Sequence, residues 1–286
     1  MSTAFLRLQR PPRDLAGWMA VFRPEALPVL GSTAAALEEL REVEDSVDAH
    51  LLTETVSADP LLTLKLLAHV GRLLRGRESF GGGREVETVT AALLMLGIPP
   101  FFRAFGPQAV AEELLADEPA ALDGFLAVLR RSHRAARFAI GFAVHRLDHD
   151  AALIHEAALL HDFAELLLWL HAPGLALQIA AAQAADSTLR SAVAQQQVLG
   201  VELAALQHAL MLQWRLPGLL VQLTDDHAAR PGPQLRNVLL AIRIARHSAL
   251  GWDNAALPDD LRDAAELLQL STDATLRLLH DIDDDV

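Results

Sequence analysis

Apolar residues recur along most of the chain at intervals of three, four and seven positions, the spacing of one face of an α-helix. Leu37 and Leu40, for example, are followed by Val47, Leu51 and Leu52. Alternating runs of β-branched residues, which would indicate half-buried strands, are absent from the sequence, and the chain contains no tyrosine. The pattern therefore predicts an all-α fold.

The dipeptide Asp59-Pro60 marks the start of one predicted helix. A carboxylate at the N-cap accepts an otherwise unpaired backbone N–H, and proline at the first helical position lacks the donor that would be wasted. We expect the helix to run from Leu61 to about His69, with Leu62 on its apolar face. Both residues of the dipeptide are therefore interpreted as structural.

A second amphipathic helix is predicted from Glu87 to Leu96. Gly97 suits the position just after a helix, and Pro99-Pro100 prevents its continuation. The intervening Phe80–Gly83 segment, with three consecutive glycines, predicts a flexible loop. It lacks the strand, lysine and hydroxyl residue of a phosphate-binding loop.

The second half of the chain consists of further helical segments, separated by short breaks. They are predicted at 122–147, 151–170, 175–185, 188–199, 201–214 and 217–226. Pro231-Gly232-Pro233 then separates a C-terminal tail of two or three helices, and the acidic end, Asp281 to Asp285, is predicted to be frayed and solvated.

These segments indicate two helical lobes in one domain. An N-terminal arm covers residues 1–23, and the domain covers residues 24–228. Within the domain we expect an N-terminal lobe at residues 24–115 and a second lobe at residues 120–228. The tail, residues 229–286, is expected to pack on the domain.

Composition and charge exclude several classes of function. The chain has no cysteine, which excludes disulfides and thiolate chemistry, and Lys65 is its only lysine. The formal net charge is −13, which argues against nucleic acid as a partner. No apolar segment of a signal peptide occurs between Met1 and Arg13, and the longest uncharged stretch, Leu166–Ala185, is interrupted by Pro173. We therefore expect a cytoplasmic protein with no membrane partner.

One dipeptide carries chemistry: His161-Asp162, at the end of the apolar run Ala157–Leu160. Imidazole and carboxylate together suit a divalent cation that activates water or polarises a phosphate. The pattern resembles the metal-dependent phosphohydrolases of the HD superfamily, which implies that both side chains ligate one metal ion. The alternative is a buried polar pair that cross-links core helices through hydrogen bonds. The same dipeptide also occurs at His149 and His280, so it is weak by itself.

The surrounding segments follow one another in the order of a particular family. They are Leu27-Pro28, Asp59-Pro60-Leu61-Leu62, Thr88–Gly97, Ser132–Ala136, Leu159–Asp162, Gly200, Trp214-Arg215-Leu216-Pro217 and His227. Their order and spacing resemble the HDOD domain, the HD-related output domain of bacterial signalling proteins. The resemblance covers about residues 24–228, and it implies an all-α, two-lobed architecture with an HD-like second lobe.

The chain departs from catalytic HD relatives at the positions where the resemblance places further metal ligands. Arg131 replaces the upstream histidine, and Leu203 replaces a later one. Of a paired histidine motif only His227 remains, because Asp226 occupies the other position. His133 lies two residues, or about 200°, further around the helix from Arg131 and should face elsewhere.

Three further interpretations concern individual positions of the resemblance. Arg131 can place its guanidinium at the former metal position and form a buried ion pair with Asp162. Trp214 is interpreted as a core aromatic, and Pro217 as a helix start. Gly71-Arg72 replaces the usual Asn-Ser of the family, so the resemblance does not predict the local loop geometry.

The resemblance implies a non-catalytic bacterial signalling module that works through protein partners, with no catalytic residue, no metal and no cofactor. An alternative is a metal-dependent phosphohydrolase or cyclic-dinucleotide phosphodiesterase with an atypical site. For that reading, His155 lies seven residues before Asp162 and offers another ligand. A third possibility is a small-ligand sensor that uses the degenerate HD pocket.

Overall fold

The computed structural model describes residues 5–75, 86–186, 188–226, 228 and 231–284. All regular elements in these residues are helical, apart from an isolated parallel bridge between Val29 and Val110, so the predicted all-α fold is confirmed. The glycine loop predicted at 81–83 and His227 lie outside the described residues.

The α-helices follow one another closely along the chain. They are α1 Leu15–Val21, α2 Gly31–Glu42, α3 Ala49–Ser57, α4 Pro60–Arg75, α5 Val89–Leu96, α6 Ile98–Ala104, α7 Ala111–Leu114, α8 Pro119–His145, α9 Ala151–Leu160, α10 Phe163–His171, α11 Pro173–Ala185, α12 Ser191–Leu199, α13 Leu203–Trp214, α14 Gly218–Leu223, α15 Pro233–His247, α16 Leu257–Leu268 and α17 Thr272–Asp284.

The helices group into two compact units, each formed by two stretches of chain. The first unit comprises Met1–Ala127 and Phe163–Pro217, and the second comprises Val128–Asp162 and Gly218–Val286. This grouping differs from the contiguous lobes that the sequence suggested. The physical reason is that helices associate through their apolar faces, whatever their distance along the chain.

In the first unit, Asp59 caps α4 as predicted. Its Oδ1 accepts the backbone N–H groups of Leu61 and Leu62 at 2.8 and 3.1 Å, and its Oδ2 accepts the N–H of Leu30 at 2.8 Å. Asp59 and Leu62 are both completely buried. The carboxylate thus also ties the segment before α2 to the start of α4.

Helix α4 is longer than predicted, because it continues past His69 to Arg75. Gly71 and Arg72 therefore lie inside a helix. A Cβ atom at Gly71 would come within 2.5 Å of the carbonyl oxygen of Arg215, the residue after α13. Glycine at this position permits a close approach of α4 to the end of α13.

Gly71→Ala is expected to lower the free energy of unfolding by about 1–3 kcal/mol, because the added methyl group meets backbone. Gly174→Ala is the matched control, since an added Cβ in α11 meets no atom within 4 Å. The control should be neutral, or more stable by up to about 1 kcal/mol. Urea unfolding measures both variants, and equal stabilities would contradict the close approach.

The N-terminal arm contains a helix that the sequence analysis missed. Asp14 caps α1 by accepting the N–H of Gly17 at 2.8 Å, and the buried Trp18 donates its indole N–H to the carbonyl of Leu199 at 3.1 Å. Before this helix, Phe5 stacks on the ring of His171 at a centroid distance of 4.2 Å. The arm is therefore packed on other helices of the first unit, of which it is part.

The neutral imidazole of His171 holds the N-terminal arm in place. Its Nδ1–H donates to the carbonyl of Leu6 at 2.9 Å, and the residue is buried. The pKa of His171 is lowered to about 4, mainly by burial; the hydrogen bond to Leu6 opposes this shift, and the charge of Arg7 contributes to it.

This pKa predicts a loss of stability on acidification. Between pH 6.5 and about 4 the unfolded chain binds a proton at His171 that the folded chain does not, so the free energy of unfolding falls. The loss is complete near pH 4 and amounts to about 3 kcal/mol. Urea unfolding from pH 8 to pH 4 should show that the stability gap between wild type and His171→Gln narrows below pH 6.5. A His171→Gln curve that runs parallel to that of wild type would contradict the assignment.

The long uncharged stretch forms two helices, as predicted. Helix α10 ends at His171 and α11 begins at Pro173, whose ring cannot donate a backbone hydrogen bond. Within the described residues no single helix is long and apolar enough to cross a membrane. One bent pair, Ala151–His171 with Pro173–Ala185, passes by length and composition alone.

In the second unit, the C-terminal helices pack on the other helices: α15 contacts α9 and α14, and α16 contacts both α15 and α17.

The expectation that the acidic end is frayed and solvated was wrong for Asp283. Arg134 of α8 donates from Nε and Nη2 to the two oxygens of this carboxylate at 2.7 and 2.5 Å. This two-pronged ion pair fixes the last turn of α17.

Candidate functional site

His161 and Asp162 form a two-residue turn between α9 and α10. The single helix predicted at 151–170 is therefore interrupted here. The backbone N–H of His161 reaches the carbonyl of Ala158, three residues back, at 3.5 Å, which tightens the last turn of α9. The His161 side chain is 7% exposed and that of Asp162 is 12% exposed.

Arg131 of α8 forms the predicted ion pair with Asp162. Its Nε and Nη2 atoms donate to the same oxygen, Oδ2, at 2.9 and 2.8 Å. The Arg131 side chain is 18% exposed, so the pair is largely removed from water. The existence of the pair is thus confirmed, although the fork converges on one oxygen and does not bridge both.

The other oxygen of Asp162 has two further donors. Nη2 of Arg246, from α15, lies 3.3 Å from Oδ1, and Nδ1 of His161 lies 3.1 Å from it. Burial by itself would raise the pKa of Asp162, but the charge of Arg131, the hydrogen bond from His161 and the charge of Arg246 hold it well below its usual range. Asp162 is therefore ionised at neutral pH.

Both ring nitrogens of His161 face carboxylates. Nε2 lies 2.7 Å from Oδ1 of Asp226, opposite the contact between Nδ1 and Asp162. Burial alone would lower the pKa of His161, but the two carboxylates raise it to about 9. Burial also opposes ionisation of Asp226, whose pKa is nevertheless lowered by the hydrogen bond and charge of His161. At neutral pH the imidazole is a cation that donates from both nitrogens.

These residues form one group, which we call the ionic cluster. Each member is a buried or half-buried charged side chain in direct contact with a side chain of opposite charge. The members are Arg131, His161, Asp162, Asp226 and Arg246. They come from α8, the turn after α9, the segment after α14, and α15. The ionic cluster therefore links four segments of the second unit.

Two members of the ionic cluster were missed by the sequence analysis. Asp226 was noted only as a lost histidine, yet it is the partner of His161 Nε2. Arg246 lies beyond residue 228, outside the predicted domain, and no local signal distinguishes it from other helical arginines. His227, the predicted neighbour of the site, lies outside the described residues.

The other residues identified in the sequence have structural surroundings. Trp214 is buried and stacks on Phe163 with ring centroids 5.7 Å apart. Pro217 is buried and directly precedes α14. Leu203, at one expected ligand position, begins α13 in the first unit and is buried. The predictions of a core aromatic and a helix start agree with these positions.

The residues present do not fit an HD-type metal ion. His161 directs both nitrogens to carboxylates, and Asp162 accepts guanidinium groups at both oxygens. Elsewhere, burial and the charge of His133 lower the pKa of His155. Across the described part of the chain, no group of three or more histidine, aspartate or glutamate side chains is arranged to hold a metal ion.

Comparison with solved structures shows the same fold in other proteins. The MmoQ response regulator from Methylococcus capsulatus is 20% identical, with a TM-score of 0.66, and the match covers 89% of this chain and 98% of that one. A virulence factor from Campylobacter jejuni is 18% identical, with a TM-score of 0.62, over 93% and 94% of the two chains. An HDOD domain protein of unknown function from Geobacter sulfurreducens is 15% identical, with a TM-score of 0.50, over 94% and 96%.

No protein with curated annotation matches the sequence. The family model of the HDOD domain, by contrast, matches residues 27–230, close to the domain predicted at 24–228. The match covers most of the chain and includes the Asp59-Pro60 cap, Arg131, His161-Asp162 and Asp226. The chain belongs to the HDOD domain family.

Proposed function

We propose that this HDOD protein is a non-catalytic regulatory module of bacterial signal transduction that acts through protein–protein contacts. Membership of a family related to HD phosphohydrolases supports the proposal, as does the shared fold with a protein described as a response regulator. In this proposal the position of the HD metal is used for an ionic cross-link, and the protein hydrolyses no phosphate ester.

The observation that carries the proposal is the pairing of His161 and Asp162 with other side chains. A divalent cation would have to displace the guanidinium groups of Arg131 and Arg246 and remove a proton from His161. Separating a paired, largely buried guanidinium from its carboxylate is costly. The ionic cluster therefore competes with a metal ion for the same ligand atoms.

The same contacts support a conformational role. Arg246 belongs to α15, which lies outside the matched HDOD region, and it reaches the HD aspartate. The ionic cluster would thus hold the C-terminal helices in one arrangement, and a protein partner would read that arrangement.

A hydrolysis assay tests the non-catalytic part of the proposal. The full chain is incubated with bis(p-nitrophenyl) phosphate and with cyclic dinucleotides, in the presence of Mn²⁺, Fe²⁺, Ni²⁺ or Zn²⁺. We expect no turnover above that of His161→Gln prepared in parallel. Hydrolysis of either substrate by the wild type that is absent from His161→Gln would contradict the proposal that the protein is non-catalytic.

A binding experiment tests the interaction part. Proteins that co-purify with the tagged chain from its native cell are identified by mass spectrometry, and each is then made separately. We expect at least one to form a stoichiometric complex with the purified chain. If none binds and a small molecule co-purifies stoichiometrically instead, the protein is a ligand sensor.

A further inference from the structure

Helix α8 and the turn that ends it carry a row of exposed and half-exposed residues within the second unit. The row repeats at alternating intervals of three and four positions, which is the spacing of a coiled-coil seam. It extends over about 25 Å of helix. We call this row the α8 seam, and its members are Arg130, His133, Arg137, Ile140, Val144 and Leu147.

The second half of the α8 seam is apolar. Ile140, Val144 and Leu147 are 37%, 62% and 84% exposed, respectively. Single exposed apolar residues are common on protein surfaces, but neighbouring ones at helical spacing form a continuous strip. Covering such a strip removes apolar surface from water, which favours binding of a partner.

Leu147 has a backbone conformation that is unusual for leucine. Its φ angle is 57°, in the left-handed region. Its N–H donates to the carbonyl of Val144 at 3.1 Å, and the N–H of Asp148 donates to that of Ala143 at 2.9 Å, so Leu147 occupies the position just after the helix in a Schellman motif. Glycine is usual there, because a side chain costs free energy in this conformation. The exposed Leu147 side chain gains little from burial in the chain itself, whereas a partner that covers it would account for the leucine.

The first half of the α8 seam is basic. Arg130 is exposed and forms no ion pair with any described residue. Arg137 is 38% exposed, and its Nη2 lies 3.9 Å from the nearest carboxylate oxygen, on Asp283. The Nε of Arg137 is buried and has no hydrogen-bond partner in the described part of the chain. No member of the seam is acidic, so this half offers positive charge, although the whole chain has a formal net charge of −13.

Helix α17 shows how an acidic helix packs beside the seam. Leu268, before α17, accepts a hydrogen bond from His145 near the end of α8, whereas Asp283, near the end of α17, pairs with Arg134. The two helices therefore run antiparallel, and the acidic end of α17 lies at the basic half of α8. The same polarity suits a second helix on the exposed side of α8.

We propose that the α8 seam is the docking site for an amphipathic helix of a protein partner that is apolar in its first half and acidic in its second. The partner helix runs antiparallel to α8. Its apolar residues cover Ile140, Val144 and Leu147, and its carboxylates pair with Arg130 and Arg137. This inference rests on the proposed function, because it names the kind of protein contact through which the module acts.

The charges of the seam favour such a partner over a second copy of this chain. In an antiparallel pair of two α8 seams, Arg137 of each copy would face apolar residues of the other. In a parallel pair, arginines would face arginines, which is unfavourable. Neither pairing supplies a carboxylate to the basic half, whereas an acidic helix does.

The probe is a synthetic helix of about 20 residues, long enough to span the seam. It has leucine at the contacting positions of its first half and glutamate at those of its second. One control peptide has lysine in place of each glutamate, and another has the two halves exchanged. Binding to the full chain is measured by fluorescence anisotropy. We expect the probe to bind at least about fivefold more tightly than either control. Equal affinities, or no binding of the probe, would overturn the proposal.

Two variants separate docking from folding, because they should weaken binding without loss of stability. Leu147→Gly suits the left-handed backbone, and Val144→Ala has the higher helix propensity, so urea unfolding should show equal or higher stability. Each should weaken the probe about fivefold through lost apolar contact. Leu250→Ala, at an exposed leucine of the same unit outside the seam, is the matched control and should bind as wild type. If it weakens binding as much as Leu147→Gly, the apolar contact is not specific to the seam.

A charge reversal tests the basic half. Arg137→Glu should weaken the probe and strengthen the lysine control peptide, each about fivefold. Arg277→Glu, at an exposed arginine of α17, is the matched control and should leave both affinities unchanged. Equal effects of the two substitutions would show a general charge effect and contradict docking at the seam.

Two further outcomes distinguish this inference from its alternatives. If wild type sediments as a dimer and Val144→Asp as a monomer, a second copy covers the seam and the proposal is wrong. If the probe does not bind, while a co-purified partner binds wild type and Val144→Asp with equal affinity, the partner docks elsewhere. In that case the inference about the α8 seam fails and the proposed function stands.

Discussion

Asp162→Leu is expected to lower the free energy of unfolding by roughly 3–5 kcal/mol. The substitution leaves the guanidinium of Arg131, only 18% exposed, without its carboxylate. It also removes one of the two carboxylates that hold the His161 ring. Within the ionic cluster, three cationic side chains then face one carboxylate, that of Asp226, and an excess of largely buried charge of one sign is costly.

Arg131→Met is expected to cost less. Asp162 keeps its contacts to His161 and Arg246, and a carboxylate that loses one cation can also take up a proton. The double variant, Arg131→Met with Asp162→Leu, should recover part of the loss, because apolar side chains of similar size replace the pair.

A double-mutant cycle in urea measures this coupling. The matched control is Arg236 with Glu266, an ion pair at 3.2 Å whose side chains are 38% and 73% exposed. We expect a coupling of more than about 1 kcal/mol for Arg131 with Asp162, and about 0.5 kcal/mol or less for the exposed pair. Strictly additive losses at Arg131 and Asp162 would show that the two side chains do not interact in solution.

Leu62→Asp is expected to prevent stable folding of the first unit. Leu62 is completely buried in the first turn of α4. Burying an unpaired carboxylate there costs several kcal/mol, a large part of the about 5–15 kcal/mol that stabilises a typical domain.

Leu73→Asp is the control for this substitution, because Leu73 lies on the same helix and is 47% exposed. We expect the control to melt close to wild type, and Leu62→Asp to aggregate or to lose its cooperative transition in circular dichroism. A melting temperature of Leu62→Asp equal to that of the control would mean that this face of α4 is not buried.

Helix ends were predictable where one residue determines them. Asp59 accepts N–H groups from the first turn of α4, and Gly97 takes a positive φ angle of 83° at the end of α5, both as predicted, whereas the cap at Thr88 was missed and α5 begins at Val89 rather than Glu87. Each signal acts within four residues, so it can be read from the sequence without knowledge of tertiary contacts.

The grouping of the helices could not be predicted in the same way. Helices α10 to α13 belong with the N-terminal helices, although they follow α8 and α9 in the chain. An amphipathic pattern shows that a face is buried but does not identify its partner. Helix α1 was missed for the same reason. Its apolar run is short, and it is positioned by a distant contact in which the Trp18 indole donates to the carbonyl of Leu199.

The candidate site was predictable in part. His161, Asp162 and Arg131 were brought together by the resemblance, which aligned Arg131 with a ligand position. Asp226 and Arg246 complete the ionic cluster through contacts across 65 and 84 residues of chain. Such contacts carry no local spacing signal, so only the folded structure identifies them.

We propose that the ionic cluster occupies the position that a metal ion holds in HD phosphohydrolases. The most direct test is the metal content of the full chain, produced in medium supplemented with manganese, iron, nickel and zinc and purified without chelator. Elemental analysis is made on wild type and on His161→Gln, which removes an imidazole from the ionic cluster. We expect far less than one equivalent of any metal, and equal amounts in both proteins. About one equivalent in wild type that is lost in His161→Gln would contradict it.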